Sequence, residues 1–228
     1  MFSDTSGYFR IGRTTSSKVE RFDADTDNFL EERMETSPYT HCVFDSKIGF
    51  IGIAKKYALS PTTETVARRI QEVLSRTSPI LENDIRVELS PIPNPDSFLR
   101  ELLGAYKVKK FAATFHGPNP IDADELFQRP LAALLAEAGG DSGRAEIKGN
   151  DLNREVLEAL TRSAAATGND ATARIRRQRG QRSVGIHLGG SIAGQTYDEE
   201  KHDPAQALED LTRTFLKVRA ANATSTNT

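Results

Sequence analysis

Residues Lys109 to Asp124 read KKFAATFHGPNPIDAD. Phe111 to Phe115 is an apolar run of strand length. Gly117-Pro118-Asn119-Pro120 ends it as a loop. Asp122 and Glu125 then open a helix, close to a capping box. A buried strand running into a capped helix is the predicted centre of the fold, and the flanking elements are laid against it.

Upstream, Gly7 to Arg13 (GYFRIGR) alternates enough for a first strand. Thr14 to Ser37 is polar and weakly patterned, with Phe22, Phe29 and Leu30 as its anchors. It is predicted to be a long loop with a turn of helix near Asn28 to Glu35, wrapping the surface or ordering on a partner. Tyr39 to Phe44 and Ile48 to Lys55 read as a hairpin around Asp45-Ser46-Lys47. Ser60-Pro61 opens a helix whose Val66, Ile70, Val73 and Leu74 share one face. Ile85 to Leu89 is predicted as a short strand, ended by Pro91, Pro93 and Pro95. Asn94-Pro95 starts a helix with Phe98, Leu99, Leu102 and Leu103 inward. Lys107 to Phe115 follows as the central strand.

Downstream, the helix from Asp122 buries Leu126, Phe127, Leu131, Leu134 and Leu135, is kinked or split at Pro130, and ends at Gly139-Gly140. Arg144 to Lys148 is a strand. Asp151 to Thr167 is a helix with Val156, Leu157, Leu160 and Ala164 inward and Gly168 just past its end. Thr172 to Leu188 is a second hairpin, and Asp203-Pro204 begins a last helix with Leu208, Leu211, Phe215 and Val218 as its stripe. Ala220 to Thr228 has no anchor and reads as a disordered tail.

The expected class is α+β: mainly antiparallel sheet with amphipathic helices on one face, arranged as two ferredoxin-like halves. The expected segments are 1–38 (strand and polar loop), 39–107 (first half), 108–219 (second half with the basic hairpin) and 220–228 (tail). With 228 residues the chain can bury a core without staples. Its net charge of −2 exerts no global pull toward nucleic acid or membrane, so any anion binding must come from local clustering. The single cysteine, Cys42, allows no disulfide within the chain and no cysteine-based zinc site. No run approaches the roughly 20 apolar residues of a membrane span, and Met1 to Arg10 lacks the apolar core of a signal peptide. A cytoplasmic location is expected, with no cofactor and no metal.

The most informative polar stretch is TARIRRQRGQRSVGIHL, Thr172 to Leu188. With the turn at Arg179-Gly180, Ala173 pairs with Ile186 and Ile175 with Val184, all on one face. The opposite face carries Arg174 and Arg176, across from Gly185 and Ser183, and the tip carries Arg177, Arg179 and Arg182. Five arginines fall within nine residues without one acid. Arg177 and Arg182 oppose each other, which destabilises a strand pair. Arginine forks suit phosphate because they bond it in a bidentate, charge-assisted way. The alternative is a solvated hairpin whose arginines meet acids such as Asp198, Glu199 and Glu200.

Other constellations are weaker. His116 and Asn119 sit at the end of the central strand, where α/β proteins place sites, but a structural turn explains them as well. The run Asp198 to Asp203 holds acids and a histidine, with Asp203 better explained as a helix cap. No nucleophile elbow or triad is present, and a nuclease set assembled from Glu88, Asp96 and Lys107 is one that any chain this charged would allow.

The order THCVF, IGFIGIAKK, the helix after Ser60-Pro61, IRVEL, the PNP of Pro118 to Pro120, and the Asn153-to-Gly168 helix with its following hairpin resembles an uncharacterised bacterial family. The likeness covers residues 39 to 188. It implies an accessory protein of mobile-element or phage-defence loci, and transfers no catalytic residue. The expected function is thus non-enzymatic binding of DNA or RNA through Arg174, Arg176, Arg177, Arg179 and Arg182. The competing expectations are a scaffold subunit that docks an acidic protein partner and, third, a hydrolase or nuclease. Oligomeric state is not legible.

Overall fold

The computed structural model describes residues 1–116, 128–198 and 203–219. Asn119, the helix start at Asp122, the run Glu199 to His202 and the C-terminal tail lie outside the described residues. The class is α+β, and every paired strand is antiparallel. The chain forms two compact units, Met1–Leu89 with Tyr197–Leu208, and Ser90–Thr196 with Glu209–Thr228.

The first unit opens with β1 (Ser6–Gly12), β2 (Thr15–Asp23), β3 (Asn28–Thr36), β4 (Tyr39–Asp45) and β5 (Phe50–Ile53). The expected loop at Thr14 to Ser37 is instead a β-ribbon: β2 pairs with β3 from Thr15↔Thr36 to Asp23↔Asn28. The offset is the one that already pairs Gly12 with Tyr39. One long hairpin therefore runs unbroken in register from Ser6 to Asp45, and its outer half is an arm exposed along nearly all its length. Sequence misled here because no face of the arm is buried, so no apolar alternation marks it. The inner half joins a sheet of order β1-β4-β5. α1 (Thr63–Leu74), capped by Thr62, buries Val66 and Ile70 with Cys42, against which Phe9, Ile11, Ile51, Ile53 and Leu89 pack. Val73 and Leu74, expected on that stripe, are exposed. A short α2 (Ser78–Glu82) follows. The strand expected at Ile85 to Leu89 does not form; Leu89 N–H donates to the Gln71 side chain instead of to a ladder.

The second unit comprises α3 (Asp96–Leu103), β6 (Lys107–His116), α4 (Gln128–Glu137), β7 (Ser142–Lys148), α5 (Arg154–Ala166), β8 (Ala171–Arg176), β9 (Val184–His187) and, from Glu209 onward, the last helix α6 (Pro204–Arg219). The sheet order is β7-β6-β8-β9, with β6 central as expected. β7, α5 and β8 make one split β-α-β around β6, whereas the first unit has only hairpin-linked strands. The two halves are therefore not both ferredoxin-like. Asn153 caps α5 by accepting from Glu155 and Val156 N–H, and Gly168 ends it at φ +67°, where a side chain would also strike Ser90. α3 contributes Phe98, Leu99 and Leu102, and α5 contributes Leu157, Leu160 and Ala164. They cover the sheet face that presents Val108, Phe111, Ala113, Ala173 and Ile175. Val156, expected inward, is exposed. Arg162 on α5 pairs with Glu158 at 2.9 Å and donates to the Lys217 and Val218 carbonyls near the end of α6, where a cation meets the negative end of the helix. Among the described residues no helix is long and apolar enough to cross a membrane.

Candidate polyanion-binding face

The hairpin register is the one the alternation dictates. Ala173 pairs with Ile186, Arg174 with Gly185 and Ile175 with Val184. Ala173 and Ile175 turn to the helices and are buried, so Arg174 and Arg176 must face the other way. The ladder stops at Ile175↔Val184, and residues 177–183 form a loop rather than further strand. Arg177 and Arg182 are consequently not a ladder pair.

The five arginines have different fates. Arg177 points to the helix side, where Glu101 of α3 accepts its Nε and Nη2 at 3.1 and 2.5 Å. Its acid partner is Glu101; of the loop acids named above, Glu199 and Glu200 lie outside the described residues. Arg174, Arg179 and Arg182 are exposed. Arg176 is half-buried, and its Nε is enclosed without a hydrogen-bond partner. His116 ends β6 opposite Ser142.

The strands beside the hairpin carry residues that sequence reading missed. Lys110 pairs with Arg174 on one side and with Lys148 on the other. Lys148, Lys110 and Arg174 therefore stand in one row across three strands, at neighbouring strand spacings of about 4.8 Å. The next row inward is Glu146, Ala112, Thr172 and His187, with Ala112 buried among its longer neighbours. Lys107 pairs with Arg176 at one end of the face, and Arg144 Nη2 donates to Thr172 at 2.6 Å toward the other. His187 Nε2 lies 3.1 Å from the Asp170 carboxylate.

One irregularity puts Lys107 and Lys110 of β6 together here. The register shifts between Val108 and Lys110, so Lys109 is an extra residue. Val108 and Phe111 then both face the core, and Lys107 and Lys110 both face solvent. Without the bulge, strict alternation would send Lys110 inward with Val108.

Glu146, one row inward, is the acid of these ladders that meets the cations. It contacts Lys110 Nζ at 2.5 Å and Lys148 Nζ at 2.8 Å. Hydrogen bonds from Lys110 first and Lys148 second hold its carboxyl down at about 2, and the same bond raises Lys148. At neutral pH the face thus carries Arg144, Lys148, Lys107, Lys110, Arg174 and Arg176 against one carboxylate in its ladders. Like charges placed directly opposite each other destabilise a sheet, so this row is held against a local electrostatic cost.

Compared with known proteins, the chain matches no family model, no curated protein and no solved structure.

Proposed function

We propose that the protein binds nucleic acid through the solvent-facing side of the β7-β6-β8-β9 sheet, with Arg179 and Arg182 of the adjoining loop as further phosphate contacts. The observation that carries this reading is the uninterrupted row Lys148, Lys110, Arg174 in a chain of net charge −2. A row of cations on a rigid sheet, backed by a packed helix layer, offers fixed positions to phosphates without any ordering of long loops. The face holds no Phe, Tyr or Trp in its ladders, and its His187 is engaged by Asp170, so base stacking contributes little and sequence preference is weak. Arg177, tied to Glu101, acts as a brace for the loop rather than as a contact. A place in an anti-phage system rests on the family resemblance of residues 39 to 188, and plating phage on cells with and without the protein tests it.

The test of binding is fluorescence anisotropy with labelled duplex DNA, single-stranded DNA and RNA across a salt series. Wild-type protein is expected to bind with affinity that falls steeply as salt rises, from counterion release. Lys110→Glu with Arg174→Glu should abolish binding at moderate salt. Lys148→Ala alone should lower the salt slope by about one. Equal binding by wild type and the double variant would falsify the assignment of this face.

A further inference from the structure

The β2–β3 arm is a two-stranded ribbon with neither face covered, and such ribbons are marginal in water on their own. On one face Val19 has Leu30 and Met34 as diagonal neighbours; on the other Phe22 packs edge-on against Phe29 at 5.4 Å. All five are exposed, Phe29 by 66% and Met34 by 50%. From Thr15 to Thr36 the arm holds seven acids and three bases, which disfavours a polyanion or an anionic membrane as its occupant. β2 continues the edge of β1, and among the described residues no strand lies beside its outer backbone groups.

We propose that β2 of one copy pairs antiparallel with β2 of a second copy, joining the two arms into a four-stranded sheet across a two-fold axis. The charge sequence of β2 selects this partner and this register. Val19 is the middle residue of β2, so a pairing centred on it uses all nine residues. That register sets Lys18 of each copy opposite Glu20 of the other, twice, and Val19 against Val19 of the second copy. It opposes no like charges. Sliding the centre to Lys18, Glu20 or Arg21 sets that charge against itself. The corresponding full-length pairing of β3 fails, because its middle residue is Glu32. Within one copy Glu20 stands opposite Glu31, whose carboxylate is engaged by Lys18. A second copy's Lys18 supplies the counter-charge Glu20 otherwise lacks.

Sedimentation velocity on the full chain over a concentration series tests the pairing. Wild type is expected to dimerise. Lys18→Glu replaces two attractive pairs by two repulsive ones and should weaken the dimer roughly tenfold or more. Lys18→Glu with Glu20→Lys restores opposite charges across the axis and should restore the dimer, which a merely misfolded arm would not do. Val19→Cys should cross-link to the same position of the second copy under mild oxidation, since opposed residues of antiparallel strands lie within disulfide reach. The native Cys42 is buried and does not interfere. A wild-type chain that stays monomeric at the highest soluble concentration overturns the proposal. So does a dimer that Lys18→Glu leaves intact and Val19→Cys fails to cross-link.

Discussion

The β8–β9 hairpin and the β2–β3 arm are both antiparallel ribbons with polar outer faces, and they differ in what lies behind them. β8 lays Ala171, Ala173 and Ile175 against helices, each nearly or fully buried. Among the strand residues of the arm none is buried. The first ribbon can therefore display like charges side by side, because the core behind it holds the strands in place. The second has only cross-strand contacts, and its ladder sets Lys18 opposite Arg33 and Glu20 opposite Glu31, relieved by the diagonal ion pair of Lys18 with Glu31. The comparison teaches that like charges stand opposite each other near both ribbons, so what separates the two is the core that holds the first and the missing neighbour beside the second.

Phenylalanine truncation breaks this comparison most directly. Phe111→Ala, at 1% exposure in β6, should cost about 3–5 kcal/mol in denaturant unfolding. Phe29→Ala removes an edge-on ring pair in solvent and should cost about 1 kcal/mol. Equal costs would show that the arm is packed in the native molecule as firmly as the sheet. Amide hydrogen exchange sharpens the point. The β6 amides should exchange only through the opening of their unit, whereas those of β2 and β3 should exchange orders of magnitude faster in dilute protein and slow as concentration rises. Concentration-independent exchange in the arm would contradict its pairing with a second copy.

The smallest expected effect concerns Glu146. Its folded-state carboxyl lies at about 2 against an ordinary 4.5, so its contribution to stability is fully present above about 4.5 and is lost as pH falls toward 2. Glu146→Gln should flatten the stability profile within that window only. At neutral pH the same variant removes the acid from among the cations, and binding of a labelled oligonucleotide should tighten a few-fold. Weaker binding would mean that Glu146 positions Lys110 and Lys148 for the ligand rather than competing with it.

Much of the fold was legible because burial leaves a period. The β6 strand, the α5 helix with its Asn153 cap and Gly168 stop, and the β8–β9 register all follow from residues that must face a core. The arm was not legible, since a ribbon without a buried face has no period to read. Ile85 to Leu89 shows the converse: it alternates like a strand, yet a strand needs a neighbour with free backbone groups, and Gln71 meets Leu89 first. Of the candidate site, Arg174 and Arg176 were placed on the correct face by alternation. Arg177 was misplaced at the tip because its partner Glu101 lies 76 residues away in sequence. Lys110 was missed because the bulge at Lys109 reverses the parity of the strand, and nothing in KVKK announces a bulge.

The shared offset of β1–β4 and β2–β3 has a consequence for how this molecule can change over generations. Because the long hairpin keeps one register from base to tip, removing a matched pair of residues from its two strands shortens the arm without moving a side chain at its base. Removing a residue from one strand alone flips every position beyond it to the opposite face. Arm length is thus a dimension that selection can adjust in paired steps, free of the constraints that hold the rest of the chain to a fixed size.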